Sequence, residues 1–137
     1  MLYWEAVKRN KLRSDIPPSG PWVGYYLYGH GGPRHRMKLG LVFTGDGKIQ
    51  GDGVDDVARF VVDGFFNGAT SQAIWTKAYV GMHKVEYAGF YAQRAICGDW
   101  TIARFTGGFW IWPEAFGQSD EAAAQIELAE PAPPVLV

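Results

Sequence analysis

The sequence has a single cysteine, almost no net charge and no long apolar run. Cys97 is the only cysteine, which excludes an internal disulfide and any zinc or iron–sulfur site built on several cysteines. The formal net charge is -1, so electrostatics give no reason to expect a nucleic-acid partner. No stretch approaches the roughly 20 apolar residues of a membrane helix or the apolar core of a signal peptide. We therefore expect a soluble, cytoplasmic protein with no membrane partner.

What the sequence does contain indicates one β-rich domain. A chain of 137 residues is long enough for one domain with its own core and short for two. Aromatic residues make up 15% and charged residues 20%, and 18 residues are glycine, about twice the usual share of roughly 7%. Aromatic residues favour strands, and glycines favour the tight turns between them. The composition therefore favours an all-β fold.

Charge and proline content divide the chain into three zones. Residues 1–21 are an N-terminal arm and proline-rich linker, 22–113 the β domain, and 114–137 an acidic tail. The arm is basic on balance, whereas the tail has acidic residues and no basic one. Good helix formers over Leu2–Arg13 predict a short helix that the following prolines end. In the tail, Ser119-Asp120-Glu121 predicts a helix start, and the proline-rich end is expected to be partly disordered.

The β domain alternates apolar and polar side chains with a period of two, which is typical of strands with one buried face. Turns rich in glycine, asparagine and aspartate interrupt this pattern at Thr44–Gly47, Asn67–Thr70, Val80-Gly81 and Thr106–Gly108. The pattern predicts eight strands: Trp22–Tyr28, His35–Thr44, Lys48–Gly53, Ala58–Asn67, Gln72–Tyr79, Met82–Tyr91, Ala95–Arg104 and Gly108–Pro113.

Short connections predict that strands adjacent in sequence pair in space as an antiparallel, up-and-down meander. Eight such strands with no helix between them avoid unpaired edges best by closing into a barrel. We therefore predict an eight-stranded barrel. An open sheet or a sandwich is the competing architecture.

Two Gly-x-Trp motifs give the domain a resemblance to a known family. Gly20-Pro21-Trp22 resembles the Gly-x-Trp start of calycin-type barrels, and Gly98-Asp99-Trp100 repeats the motif. With its eight short strands, the β domain is similar to the avidin-like branch, which implies the barrel. The resemblance does not extend to biotin, because Gly24-Tyr25-Tyr26 stands where avidin-type proteins have amide and hydroxyl groups. Gly51–Asp56 and Tyr79–His83 also resemble stretches of a small bacterial module.

Alternate turns of a meander fall at opposite ends of the barrel, which we call the base and the mouth. The first strand begins at the base, which carries little charge, so the mouth collects all three histidines together with Arg34, Arg36, Asp55, Asp56, Arg59 and Arg104. Ligands enter barrels at the mouth, where a few polar groups converge above apolar walls. The predicted ligand-binding residues at the mouth are Tyr28, His35, Asp55, Asp56, Lys77, Tyr79, His83 and Arg104.

The more apolar parity of each strand predicts the interior of the barrel. On that parity His83 and Arg104 also point inward. Eight strands enclose an interior that side chains fill or that holds one small ligand, and both possibilities remain open. The predicted interior side chains are Trp22, Tyr26, Leu39, Leu41, Phe60, Val62, Val85, Tyr87, Trp100 and either Phe109 or Trp110.

The outer face of the first and last strands is also apolar. Val23, Tyr25 and Leu27 alternate with interior residues of the first strand, and the last strand, Phe109–Trp112, is apolar on both faces. An exposed patch of this kind is normally covered. We expect either the N-terminal arm or a second subunit on it, and the second alternative predicts a homo-oligomer.

Few residues suggest catalysis. The best acid/base candidate is His83 with Asp55 or Asp56, whereas Cys97 lies in a strand without a basic neighbour and is predicted to be an inert thiol. The stretch Asp52–Asp56 is expected either to form a turn ordered by aspartate side-chain hydrogen bonds or to start a helix at Asp55. The histidine spacing fits no strong metal motif, so no metal or cofactor is predicted, and a non-enzymatic role is favoured.

Two functions remain. The first is a barrel that binds a small apolar or aromatic molecule of unknown identity at its mouth. The second is a protein–protein interaction or scaffold domain with a filled barrel, acting through the outer surface of the first and last strands. A cavity inside the barrel favours the first function and a solid core the second. A contact between His83 and a carboxylate facing a cleft would favour an acid/base enzyme.

Overall fold

The chain forms eight antiparallel strands that follow one another around a closed barrel. The computed structural model describes residues 16–117. A short helix, α1 (Glu114–Gly117), follows the last strand. The strands are β1 (Gly20–Tyr26), β2 (His35–Phe43), β3 (Lys48–Asp55), β4 (Arg59–Asn67), β5 (Gln72–Tyr79), β6 (Lys84–Ala92), β7 (Ala95–Ile102) and β8 (Phe105–Pro113).

The pairing of β1 with β8 closes the barrel. Trp22 lies opposite Pro113, and Tyr26 lies opposite Phe109, while every other pairing joins strands adjacent in sequence. Closure leaves none of these eight strands with an unpaired edge. The predicted barrel is therefore confirmed, and the open sheet and the sandwich are excluded.

Side chains alternate strictly between the interior and the outside. In β4, for example, the residues that alternate with Arg59, Val61, Asp63, Phe65 and Asn67 are buried, whereas these five are exposed. Every predicted interior residue belongs to one buried cluster, and in β8 that residue is Phe109 rather than Trp110. The parity prediction is therefore confirmed for the core. Trp110 instead belongs to a separate cluster on the outer face.

Glycines inside the strands make room for the large aromatic rings of the core. A Cβ atom on Gly64 would lie 2.0 Å from the carbonyl oxygen of Ile74 and 2.6 Å from the Cβ of Trp75. A Cβ atom on Gly107 would lie 2.0 Å from the carbonyl oxygen of Leu27. Any side chain at these positions forces adjacent backbones apart. The high glycine content therefore serves the strands as well as the turns.

One predicted turn is wrong. Thr106–Gly108, expected to connect the last two strands, lies inside β8, and the turn is made by Ala103 and Arg104. Ala103 has a φ of 52°, an uncommon conformation for a residue with a side chain. The glycine at position 107 reflects the close approach of Leu27 and not a turn. The other strand boundaries differ from the prediction by at most two residues.

Some expectations concern residues outside the described range. The predicted helix over Leu2–Arg13 lies there, as do the helix start at Ser119 and the proline-rich end of the tail. Within residues 16–117, no helix is long and apolar enough to cross a membrane.

We predict that Gly64→Ala destabilises the barrel by about 3 kcal/mol or more, because the added methyl group collides with the backbone of β5. Gly40→Ala is the matched control: it also lies in a strand, but its Cβ would meet only a side-chain oxygen of Asp52, at 3.8 Å. Urea unfolding should place the control within about 1 kcal/mol of the wild type. Equal stability of the two variants would contradict this account of the interior.

Candidate functional site

Two adjacent carboxylates at the turn between β3 and β4, those of Asp55 and Asp56, point in opposite directions. Asp55 ends β3, and its Oδ1 accepts hydrogen bonds from the backbone N–H groups of Val57 at 2.8 Å and Ala58 at 3.3 Å. The predicted turn ordered by aspartate side-chain hydrogen bonds is therefore confirmed. Its other oxygen, Oδ2, points into the barrel, whereas Asp56 points to the rim, where it meets His35. The turn thus supplies one carboxylate to the interior and one to the mouth.

Lys77 lies at the centre of the mouth half of the barrel. Its side chain is 1% exposed and forms an ion pair with the Oδ2 of Asp55, whose side chain is 0% exposed. The Lys77 Nζ also donates to the Tyr87 hydroxyl at 3.2 Å and lies 3.9 Å from the Met37 sulfur. The Tyr79 hydroxyl donates to the same Asp55 oxygen at 2.6 Å. A buried charge is tolerated only when it is paired in this way.

Four aromatic rings surround the Lys77 ammonium group. The distances from Nζ to the ring centroids are 4.7 Å for Tyr26, 4.5 Å for Phe60, 4.9 Å for Tyr79 and 5.4 Å for Tyr87. Each ring lies within the range at which an aromatic face attracts a cation. We call these four residues with Lys77 and Asp55 the caged ion pair. It joins side chains from β1, β3, β4, β5 and β6.

Burial shifts the proton affinities of the caged ion pair in both directions. It lowers the pKa of Lys77 below its ordinary value of 10.5, an effect that the Asp55 carboxylate opposes. Burial also raises the pKa of Tyr26, Tyr79 and Tyr87 above the ordinary value of 10.0. For Tyr26 and Tyr79, hydrogen bonds to Asp56 and Asp55 add to this effect, because a phenol that donates to a carboxylate resists deprotonation.

A second polar group lies at the rim of the mouth. Nδ1 of His35 lies 2.6 Å from Oδ2 of Asp56, and the Tyr26 hydroxyl donates to Oδ1 at 2.5 Å. Burial acts to raise the pKa of Asp56, but the bonds from Tyr26 and His35 outweigh it and lower the pKa below its ordinary value of 3.8. Tyr26 therefore belongs to both groups and links the rim to the caged ion pair.

His35 is held so that its second nitrogen is left for another partner. Its ring stacks on Tyr26 with centroids 4.9 Å apart, and the edge of Tyr28 packs against it at 4.7 Å. Since a carboxylate only accepts, the proton of the bond to Asp56 lies on Nδ1, and in the neutral ring Nε2 carries the lone pair. No described residue bonds to Nε2. Tyr28, beside it, is 61% exposed.

The structure brings seven of the eight predicted site residues into contact with another member of the set and leaves Arg104 apart. Asp55, Lys77 and Tyr79 meet in the interior, and Tyr28, His35 and Asp56 meet at the rim.

His83 and Arg104, which were expected to point inward, lie in or beside turns and are exposed. His83 packs against the ring of Tyr79, with centroids 5.0 Å apart, and its side chain meets no carboxylate of the described chain. The histidine that pairs with a carboxylate of the turn between β3 and β4 is His35, which meets Asp56. Arg104 occupies the turn between β7 and β8, where the strand parity does not continue.

The three histidines take three different partners. His30 pairs with Asp99 at 2.8 Å on the exposed surface, His35 with Asp56, and His83 with the Tyr79 ring. Within residues 16–117, no three His, Cys, Asp or Glu side chains lie close enough to hold a metal ion.

Tyr26, Phe60 and Tyr87 were predicted to be interior residues, but their contact with Lys77 was not predicted. The available signal was the parity of Lys77 itself, which shares the buried face of β5 with Trp75 and Tyr79. A lysine on the apolar face of a strand needs a counterion and rings of the same layer. The rings that lie level with Lys77 can be identified only from the strand register, in which Lys77 pairs with Val62 of β4 and with Val85 of β6.

Two clefts lie on the outside of the barrel. One, of about 400 Å³, lies against β3 and β4 beside Arg59 and Val61, and the other, of about 430 Å³, lies at the base between Ile16 and Tyr91. The centre of the mouth half is occupied by the caged ion pair, and the base half by rings such as Trp22 and Phe43.

We predict that Lys77→Met destabilises the fold by about 3–5 kcal/mol, because the Asp55 carboxylate remains buried without a counterion. Asp55→Asn added to it should recover part of that loss, so that the two changes are not additive. Lys84→Met, on the exposed face of β6, is the control and should change stability by less than about 0.5 kcal/mol. Denaturant unfolding of Lys77→Met, Asp55→Asn, the double variant and Lys84→Met measures the change in stability of each. Full additivity of the two single changes would contradict a coupled pair.

We also predict that stability falls as the pH rises above about 10, because the unfolded chain then releases tyrosine protons that the folded chain retains. Each buried tyrosine contributes up to about 1.4 kcal/mol per pH unit. The lowered pKa of Lys77 makes stability rise with pH, because the unfolded chain then holds a proton that folded Lys77 has lost. This effect ends above the ordinary lysine pKa of 10.5, where the unfolded lysine has also lost its proton. Denaturant unfolding across this range should show a smaller slope for Tyr87→Phe, and stability rising above 10.5 would contradict the prediction.

Comparison with known proteins adds no family to this description. The chain matches no protein-family model, no curated protein and no solved structure. The closed antiparallel barrel of eight strands is consistent with the calycin and avidin-like architecture that the Gly-x-Trp motifs indicate.

Proposed function

We propose that this protein is an interaction domain with a filled barrel, and that it binds a segment of another polypeptide with its mouth. The observation that carries the proposal is an asymmetry between the two ends of the barrel. Three of the four connections at the mouth present at least one exposed, large apolar side chain, and the fourth is followed directly by another at the start of β8. These side chains are Tyr28, Val57, Val80, Met82 and Phe105, and we call them the mouth face.

The three connections at the base lack such residues in the described chain. They consist of Thr44–Gly47, Gly68–Ser71 and Gln93-Arg94, none of which includes an exposed large apolar side chain. Exposed apolar residues scattered singly need no explanation, but their collection at one end is typical of a binding surface. Tyrosine and methionine are also enriched at the centres of protein interfaces.

The buried ion pair in the mouth half supports a surface role. A ligand deep in the barrel would have to displace Lys77 and Asp55 and leave at least one of two buried charges without its partner. Removing one partner of such a pair costs about 3–5 kcal/mol. A partner that rests on the mouth face leaves the caged ion pair intact. The polar group of His35 and Asp56 then offers hydrogen bonds within an apolar rim, as polar groups do within interfaces.

A second proposal is that the rim binds a small apolar or aromatic molecule. The observation that favours it is the position of His35 Nε2 beside the exposed ring of Tyr28. A planar molecule with one hydrogen-bond donor can pack against Tyr28 and donate to Nε2. This ligand would rest on the barrel rather than inside it.

Photo-crosslinking in the host cell tests the first proposal. A benzophenone amino acid replaces Tyr28 or Phe105 in the full chain, and Phe65 is the matched control, because it is an equally exposed ring on the outer face of β4. We expect a discrete crosslinked polypeptide from the two mouth positions and none from Phe65. The same product from Phe65, or none from the mouth, would contradict the proposal.

Native mass spectrometry of protein purified from the same cells separates the two proposals. A small-molecule mass that is present on the wild type and lost from His35→Ala favours the second proposal. The variant Lys84→Ala, on the outer face of β6, should keep that mass. A protein without an added mass, together with mouth crosslinks, favours the first.

A further inference from the structure

A second apolar surface lies on the outside of the barrel where β1 and β8 meet. Tyr25, Ala95, Trp110 and Trp112 form a buried cluster there, which we call the outer cluster. Val23, Leu27 and Cys97 pack against it. The rings of Tyr25 and Trp112 meet edge to face with centroids 6.3 Å apart. These side chains point away from the core, because Tyr26, Phe109 and Ile111 between them point into it.

The outer cluster is buried although it faces outward. Trp110 is 9% exposed, and no described residue accepts a hydrogen bond from its indole N–H. A buried indole N–H normally has an acceptor. The outer side of a barrel strand has no second layer of its own, and a further segment over this cluster would supply that acceptor.

A row of cations borders the outer cluster on one side. In the pairing of β1 with β2, Arg36 lies opposite Tyr25, and Lys38 lies opposite Val23. Both point outward and are exposed. The guanidinium group of Arg34 lies 4.6 Å from the centroid of the Tyr25 ring. An apolar surface edged by Arg34, Arg36 and Lys38 is suited to a segment that carries both apolar and acidic side chains.

The acidic tail has this composition and begins at this place. Helix α1 contacts both β1 and β8, so the chain leaves the described range at the base end of the two strands that carry most of the outer cluster. Residues 118–137 include four acidic residues and no basic one, with Ile126 and Leu128 among several alanines. Twenty residues span about 30 Å even as a helix, which exceeds the roughly 23 Å of a seven-residue strand.

We propose that residues 118–137 lie across the outer faces of β1 and β8 and cover the outer cluster, with their acidic side chains toward Arg34, Arg36 and Lys38. The surface that was expected to bind a partner is then occupied by the chain's own tail. The N-terminal arm fits less well, because its excess of basic residues opposes the cations of β2. A second copy of the chain would bring the same acidic tail, so the dependence on protein concentration distinguishes exchange of tails between copies from cover by the chain's own tail.

The reactivity of the Cys97 thiol reports whether the outer cluster is covered, because Cys97 packs against this cluster and is the only thiol of the chain. Burial and then the nearby Asp99 carboxylate raise the pKa of the Cys97 thiol, so alkylation is slow in the covered state. The experiment measures the rate of reaction of the full chain with iodoacetamide. Trp110 is followed in parallel by hydrogen exchange of its indole N–H.

The variant Arg36→Glu with Lys38→Glu should raise the alkylation rate about tenfold, because it repels the tail. Replacing Asp120, Glu121, Glu127 and Glu130 with lysine should raise it similarly. Combining the two sets restores opposite charges and should bring the rate back to within about twofold of the wild type. The matched control, Lys48→Glu with Lys84→Glu on other strands, should leave the rate unchanged.

Failure of the combined variant to restore protection would overturn the proposal. Two other results would overturn it as well. A rate that responds to deletion of residues 1–15 but not to reversal of the tail charges assigns the cover to the arm. A rate that depends on protein concentration assigns it to a second copy. If the variant in β2 does not fold, reversal of the tail charges alone decides, since those residues lie outside the barrel strands.

Discussion

The ion pair between Lys77 and Asp55 is the interaction on which the mouth half of the barrel depends. It ties the end of β3 to the middle of β5, and the four rings around the ammonium group are contributed by β1, β4, β5 and β6. Asp55 also orders the turn that follows it. One carboxylate therefore fixes both the centre of the barrel and the position of Asp56, and through Asp56 the orientation of His35 at the rim.

The barrel could be predicted from the sequence because the alternation of apolar and polar residues with a period of two determines which face of each strand points inward. A strand whose alternate residues are apolar has only one face to turn inward, so the whole interior of β2 or β4 follows from the parity of a few residues. The parity argument left β8 undecided between Phe109 and Trp110, because both faces of that strand are apolar. The outer cluster explains this, since the second face of β8 is buried as well.

The site was predictable only in part, because parity does not continue through turns. Asp55, Lys77 and Tyr79 lie in strands, and their meeting inside the mouth follows from the meander. His83 and Arg104 lie in or beside turns, where the backbone direction depends on residues such as Ala103 in a left-handed conformation. An alanine or arginine at such a position gives no signal comparable to that of a glycine. The partner of Asp56 therefore had to be seen in the structure.

Closure of the barrel by its first and last strands has a consequence during synthesis. Trp22 pairs with Pro113, so β1 can pair with β8 only after almost all of the described residues have left the ribosome. Until then its outward residues, Val23 and Tyr25, stand beside an unpaired strand edge, which favours association with other nascent chains. A fold with such distant pairing also closes slowly. The free edge of β1 is therefore covered only after β8 has emerged.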